Sequence, residues 1–180
     1  TVELLLSQPP VTSRPGSEVG FKELLIGMQV DEQVVGEIFA VLDEEPSFCG
    51  APDALDRAFA YVQEREQFGR AIIDFQATQF KLADMETELA AARALLYEAA
   101  SKLDRKAPDA TKFCAMAKRF VTDTSSKVAN DALQLHGGYG YLGDYEVERI
   151  VRDLRVHQIL EGTNEIMRVI VAREMMKGQV

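Results

Sequence analysis

Tryptophan is absent from the 180 residues, and there are only two cysteines and two histidines. Cys49 and Cys114 lie far apart in the chain. That argues against a disulfide framework and fits reduced, small buried hydrophobes. His136 and His157 are the only imidazoles, and neither C-x-x-C nor H-E-x-x-H occurs, so no zinc site is expected. Positive charge is also in deficit: 20 Lys and Arg stand against 29 Asp and Glu, a net charge of −9. Neither nucleic acid nor an anionic membrane surface is then the expected partner. No apolar run is long enough to span a bilayer, and the opening TVELLLSQPP lacks the basic segment of a signal peptide. Neither an anchor nor membrane insertion is expected.

Proline is nearly missing beyond residue 52. Pro9, Pro10, Pro15, Pro46 and Pro52 precede that point, and only Pro108 follows it. The later chain is therefore free to be helical almost throughout. Residues 1–52 read as an irregular lead-in with one helix, 21–42, weakened by Gly27 and Gly36, and a break at 43–52. Residues 53–180 read as a helical domain. Asp53 is placed to cap a helix that reaches about Gln67, with Leu55, Phe59 and Val62 at helical spacing. FGRAIIDF is a short connection. Residues 76–104 carry Leu82, Met85, Leu89, Ala92, Leu96, Ala99 and Leu103 at alternating steps of three and four, a continuous apolar stripe.

Asp109 is the expected cap of the next helix, which ends near His136. Phe113, Ala117, Phe120, Thr124, Val128, Ala132 and Leu135 mark one side of it, and Gly137 supplies a left-handed stop. Residues 144–159, DYEVERIVRDLRVHQI, are again amphipathic. LEGT interrupts them, and Thr163 caps the last helix with Glu165 in its first turn. No strand is expected after residue 20. The fold class is all-α, an antiparallel four-helix bundle with an irregular N-terminal lead-in. The 47% hydrophobic content suffices for its core.

The stretch HGGYGYLG holds G-x-G-x-x-G at Gly138, Gly140 and Gly143. A dinucleotide fingerprint needs a strand before it and a helix opening on it. Here a helix precedes it, so the stretch reads first as a helix stop and turn. Its glycines nonetheless leave backbone N–H groups open to a phosphate.

Three further places carry chemistry. Glu161 sits between Leu160 and Gly162, among Ile159, Ile166 and Met167. In an apolar pocket it would gain proton affinity and act as a base; otherwise it is an exposed loop acid. The segment EREQFGR puts Arg65, Phe68 and Arg70 at a helix end. Its arginines either bind phosphate or pair with Glu64 and Glu66. Gln76 and Gln134 lie on or beside apolar faces, able to reach a ligand or a buried backbone group. Met167, Met175 and Met176 read as core or interface packing.

Taken in order, ALDRAFAYVQEREQFGRAIIDFQ, KLADMETELAAARALLYEAA and ALQLHGGYGYLGDYEVERIVRDLRVHQILEGTNEIMR resemble the C-terminal helical domain of the acyl-CoA dehydrogenases. The resemblance covers about residues 53–178 and is nearest to the short- and branched-chain members. It implies FAD as cofactor and α,β-dehydrogenation of an acyl-CoA. Glu161 is implied as the base that takes the α-proton, with the β-hydrogen leaving as hydride to flavin N5. Gly162 and Leu160 are implied at the thioester and acyl chain, and Thr163 and Glu165 at the FAD of the same subunit. Arg65, Gln67, Phe68, Phe75, Gln76, Gln134, Leu135, Gly137 and Gly138 are implied at FAD, those near residues 65–68 and 134–138 reaching the flavin of a neighbouring subunit.

A dimer or tetramer, with or without a companion chain, follows, and an electron-transfer flavoprotein as electron acceptor. The implied compartment is the bacterial cytoplasm or the mitochondrial matrix. Complete members of the family also have an N-terminal helical domain and a middle β-domain. Neither is recognisable here, which keeps open a second reading, a non-catalytic helical oligomerisation module.

Overall fold

The computed structural model describes the backbone of residues 45–177 and the side chains of residues 50–177. The expected irregular lead-in and the helix over 21–42 lie outside the described residues. Within them run α1 (Glu45–Glu64), a hairpin of β1 (Glu66–Gln67) and β2 (Arg70–Ala71), α2 (Gln76–Asp104), α3 (Ala110–His136), α4 (Val147–Val156) and α5 (Asn164–Lys177). Short 3-10 turns fill Ile72–Asp74, Gly137–Tyr141 and Gly143–Tyr145. The all-α class holds. The bundle has five α-helices among the described residues, α4 being the short one.

The stripe on α2 is its buried face, from Leu82 to Leu103, at the seven expected positions. It lies along α3, and the two helices run antiparallel. Ion pairs join them in reverse order: Lys81 to Asp131 at 2.5 Å, Glu88 to Lys127 at 2.8 Å and Lys102 to Asp109 at 2.9 Å. Such exposed or half-exposed pairs each contribute at most about 1 kcal/mol. They set register more than stability.

α3 differs from its expected one-sided pattern. Ala117, Thr124, Val128 and Ala132 are buried, but so are Cys114, Lys118, Val121, Ser125 and Ala129. Phe113, Phe120 and Leu135 only flank the core. The reason is position: α1, α2, α4 and α5 all pack on α3, so small residues are needed around most of its circumference. Cys114 is fully enclosed, and burial pushes its thiol up to about 12. A water-soluble disulfide reagent at pH 8 should therefore leave Cys114 unmodified in the folded chain and label it only after denaturant. Labelling at the rate of a free thiol would contradict this burial.

Several expected boundaries move. α1 begins at Glu45, so the chain is helical from residue 45 onward, within the break expected over 43–52. Pro46 falls in the first turn, where its missing N–H costs nothing, whereas Pro52 lies inside the helix. Asp53 is thus not a cap; it pairs with Arg57 one turn on at 2.9 Å. Ala51, Ala54, Leu55, Ala58 and Val62 face inward, while Phe59 is exposed. Asp109 makes no capping bond, because its carboxylate is taken by Lys102. α4 is shorter than 144–159, since Glu146 adopts φ 57 at its start and turns begin at His157.

The hairpin overturns the expectation of no strand after residue 20. Glu66 pairs with Ala71 and Gln67 with Arg70. Phe68 (φ 54) and Gly69 (φ 79) form a two-residue turn with both φ positive, the kind that matches strand twist. Strands this short have no room for an alternating pattern. No helix of the described residues is long and apolar enough to cross a membrane.

Candidate active site

Two clusters hold most of the expected site residues. The first lies where α1, the hairpin and the end of α3 meet. A cleft of about 400 Å³ is lined by Tyr61, Arg65, Gln67, Ile72, Leu142 and the α3 terminus from Gln134 to Tyr139. Arg65, Gln67, Gln134, Leu135, Gly137 and Gly138 are thereby brought together in one cleft. Gly137 closes α3 at φ 59 and ψ −137. That is a glycine conformation, but not the left-handed helical one expected. Next to Gly138 no atom lies within 4 Å of where a Cβ would be, so this backbone is open to an approaching group.

Arg65 makes no ion pair with Glu64 or Glu66. Its guanidinium lies 5.5 Å from the centre of the Tyr139 ring, on the cleft side. His136 is buried and stacks on Tyr61 at 4.5 Å. Its Nδ1 sits 2.8 Å from the Ala132 carbonyl, which can only accept, so Nδ1 carries the proton. Tyr61, His136, Tyr139 and Tyr145 form one aromatic cluster behind the arginine. Sequence reading missed Tyr61, although it stands one helical turn before Arg65.

Phe68, Phe75 and Gln76 do not line this cleft. Phe68 is 93% exposed at the hairpin tip, edge-to-face with Phe75 at 6.2 Å. The Arg70 guanidinium covers the Phe75 ring at 4.0 Å. Gln76 opens α2 and is exposed, as is Gln134. Neither satisfies a buried group.

The second cluster is the turn between α4 and α5. Leu160 N–H returns to the Val156 carbonyl at 3.0 Å, and Asn164 N–H to the Gln158 carbonyl at 3.1 Å. Between them Glu161 (φ 61) and Gly162 (φ 90) take consecutive positive φ values. For glycine this is free, but for glutamate it costs about 1–2 kcal/mol. The Glu161 side chain is half-buried and has no hydrogen-bond or ion-pair partner among the described residues. Burial alone pushes its carboxyl up to about 7. The flank is less closed than its sequence suggests: Ile159, Leu160 and Ile166 are exposed, and only Met167 is buried.

Thr163 caps α5 as expected, its Oγ1 accepting from Ile166 N–H at 3.4 Å. The backbone N–H of Glu165, then the Thr163 hydroxyl, hold the Glu165 carboxylate below its ordinary range. Met175 and Met176 are exposed at the end of α5, apart from the buried Met167.

Beneath this turn lies a group the sequence reading passed over. Lys118 is 2% exposed, and its Nζ donates to the Gly162 carbonyl at 2.7 Å and to Asn164 Oδ1 at 2.9 Å. A cation within the buried positions Cys114, Ala115, Ala117 and Val121 was the available signal. A long polar side chain on such a face needs a partner there.

A family model described as acyl-CoA dehydrogenase, C-terminal domain, matches residues 47–176. Mitochondrial isobutyryl-CoA dehydrogenase of Dictyostelium discoideum is 52% identical over 131 residues, covering 73% of this chain and 32% of that protein. Subunit CarC of the caffeyl-CoA reductase–Etf complex of Acetobacterium woodii is 46% identical over 127 residues, covering 71% of this chain and 33% of that one. The solved FAD complex of PigA matches with a TM-score of 0.69 at 30% identity, over 72% of this chain and 34% of that one. The chain thus spans about a third of the length of the relatives it matches. It belongs to the acyl-CoA dehydrogenase family, of which it carries the C-terminal helical domain.

Proposed function

We propose that this chain supplies the catalytic base and part of the flavin site for α,β-dehydrogenation of an acyl-CoA thioester. One observation carries the reading: a half-buried glutamate, held at positive φ and without a hydrogen-bond or ion-pair partner among the described residues. A carboxylate raised to about 7 is matched to taking a proton near neutral pH. Glu161 removes the proton from the carbon next to the thioester carbonyl, and the carbon–carbon double bond forms as the β-hydrogen departs with its electron pair. Bound FAD supplies the acceptor for that hydride at N5. Gly162 and Leu160, adjoining the base, face the thioester and acyl chain.

The residues present fit a dinucleotide at the α3 end. Among the described residues no carboxylate engages Arg65, the Gly137–Gly138 backbone is open, and a 400 Å³ cleft lies between them. An arginine beside an exposed glycine backbone suits a pyrophosphate, although the Gly137 N–H is already donated to the Gln134 carbonyl. Phe68, Phe75 and Gln76 extend this surface around the hairpin, while Thr163 and Glu165 serve the flavin nearer the base. The cleft completes the flavin site of a second copy, so the working unit is a dimer or tetramer, with any companion chain supplying further contacts.

The isobutyryl-CoA and caffeyl-CoA relatives both act on CoA thioesters by name, which supports that substrate class. The Etf complex supports an electron-transfer flavoprotein as the electron acceptor. A bacterial cytoplasm or a mitochondrial matrix suits such a partner. The test is the visible spectrum of the native assembly containing this chain. Its flavin absorption should bleach on anaerobic addition of isobutyryl-CoA or butyryl-CoA. A colourless assembly that takes up no added FAD would sink this reading and leave the oligomerisation module.

A further inference from the structure

Both ends of the Glu161 turn are tied to one short stretch of α3. On the near side, Gln158 Nε2 donates to Asp123 Oδ1 at 2.7 Å. On the far side, Lys118 holds the Gly162 carbonyl and Asn164 Oδ1. Asn164 is itself buried, and its Nδ2 donates to Thr122 Oγ1 at 2.9 Å and Asp123 Oδ1 at 2.7 Å. The Gly162 carbonyl belongs to a turn with no ladder to satisfy it, so the bond from Lys118 is what fastens this peptide to the bundle. A turn with two successive positive φ values persists only when its surroundings over-determine it.

We propose that Lys118 is a positioning residue for Glu161: from inside the bundle its ammonium grips the Gly162 carbonyl and the Asn164 side chain, and so fixes the turn that presents the carboxylate. This rests on the reading of Glu161 as the base.

The action is geometric rather than electrostatic. Asp123 and Glu165 are the carboxylates whose charge acts on Lys118, and burial outweighs both, lowering its ammonium to about 8. Asp123 is shared with Arg119 at 3.7 Å and Arg168 at 3.5 Å. His157, at the start of the turn, has its proton affinity lowered by burial and then by Lys118. Glu161 is shifted by burial alone, with no contribution from Lys118. Removing the ammonium should therefore free the turn and expose the carboxylate, not unmask a charge interaction.

The test is the carbon-13 titration of the Glu161 carboxyl in the full 180-residue chain, with helix content checked by circular dichroism. In Lys118→Met, which keeps the length and apolar stem, the midpoint should fall from about 7 towards 4.5. A complete fall is a loss of about three-hundredfold in proton affinity. An unchanged midpoint in a folded variant would show that Lys118 only supports the core. A rise would show that it acts through charge, and either result overturns the proposal. Asn164→Ala keeps the Lys118–Gly162 bond but removes the Asn164 bonds to Lys118, Thr122 and Asp123, and should give a smaller fall. If Lys118→Met does not fold, that variant decides: a fall supports the proposal and an unchanged midpoint refutes it. The titration needs neither flavin nor acyl-CoA. A Glu161 that responds this way but proves dispensable for flavin reduction would refute the base and leave the positioning intact.

Discussion

Glu161→Gln should slow reduction of bound flavin by an acyl-CoA by about 10²- to 10⁴-fold, the usual worth of a positioned general base. Flavin content should hardly change, because the Glu161 side chain is not among the groups proposed to hold the cofactor. Glutamine keeps the size and the half-buried position but cannot take a proton. In the unsubstituted protein kcat/KM should rise about tenfold per pH unit below about 7 and level off above it, as Glu161 loses its proton. The same shift has a stability consequence of opposite sense. A carboxyl whose folded pKa is raised from 4.5 to about 7 favours the folded state while protonated. That contribution is complete below about 4.5 and is lost as the pH rises through 7. At pH 8 the glutamine variant should therefore unfold at a temperature no lower than its parent, while its turnover collapses. Thermal melts and stopped-flow reduction measured side by side check both halves. A variant that still bleaches the flavin at the parent rate would remove Glu161 from the mechanism.

The second large effect lies in the glycine-rich stretch, and it separates glycines that look alike in sequence. A Cβ on Gly140 would stand 2.7 Å from the Leu133 carbonyl oxygen and 3.1 Å from both His136 Cβ and Leu133 Cγ. The carbonyl is backbone in the last turn of α3 and cannot step aside like a flexible side chain. Gly140→Ala should therefore cost about 1–3 kcal/mol of stability through overpacking. The displaced turn carries Gln134 and His136, so FAD uptake by the assembly should weaken as well. Gly143→Ala meets nothing within 4 Å and should stay within about 0.5 kcal/mol of the parent. Denaturant midpoints for the pair test this, and equal effects at both positions would contradict the packing described.

That contrast shows what the sequence could and could not disclose. A motif scan weighs Gly138, Gly140 and Gly143 equally. The structure gives the first to a cleft, the second to close packing and the third to open solvent. The α2 stripe was fully legible because one face meets mainly one neighbour, α3, and the Thr163 cap because its partner is three residues away. α3 misled because several neighbours surround it, which dissolves the single-face pattern. Its buried lysine was visible as an oddity, but its partners are about 45 residues downstream, beyond any local rule. The hairpin was too short for periodicity, and Glu161's positive φ is dictated by the closure of its turn, since nothing in glutamate itself favours it.

Helix α3 also works as a ruler. From Lys118, beneath the Glu161 turn, to His136, at the cleft, its axis runs about 27 Å at 1.5 Å per residue. On the shared-flavin reading, this one rod holds a half-site at each end, and each half belongs to a different flavin. A chain damaged at the turn still has a sound cleft, and a chain damaged at the cleft still has a sound turn. Two kinds of inactive chain, assembled together, therefore rebuild one complete site between them.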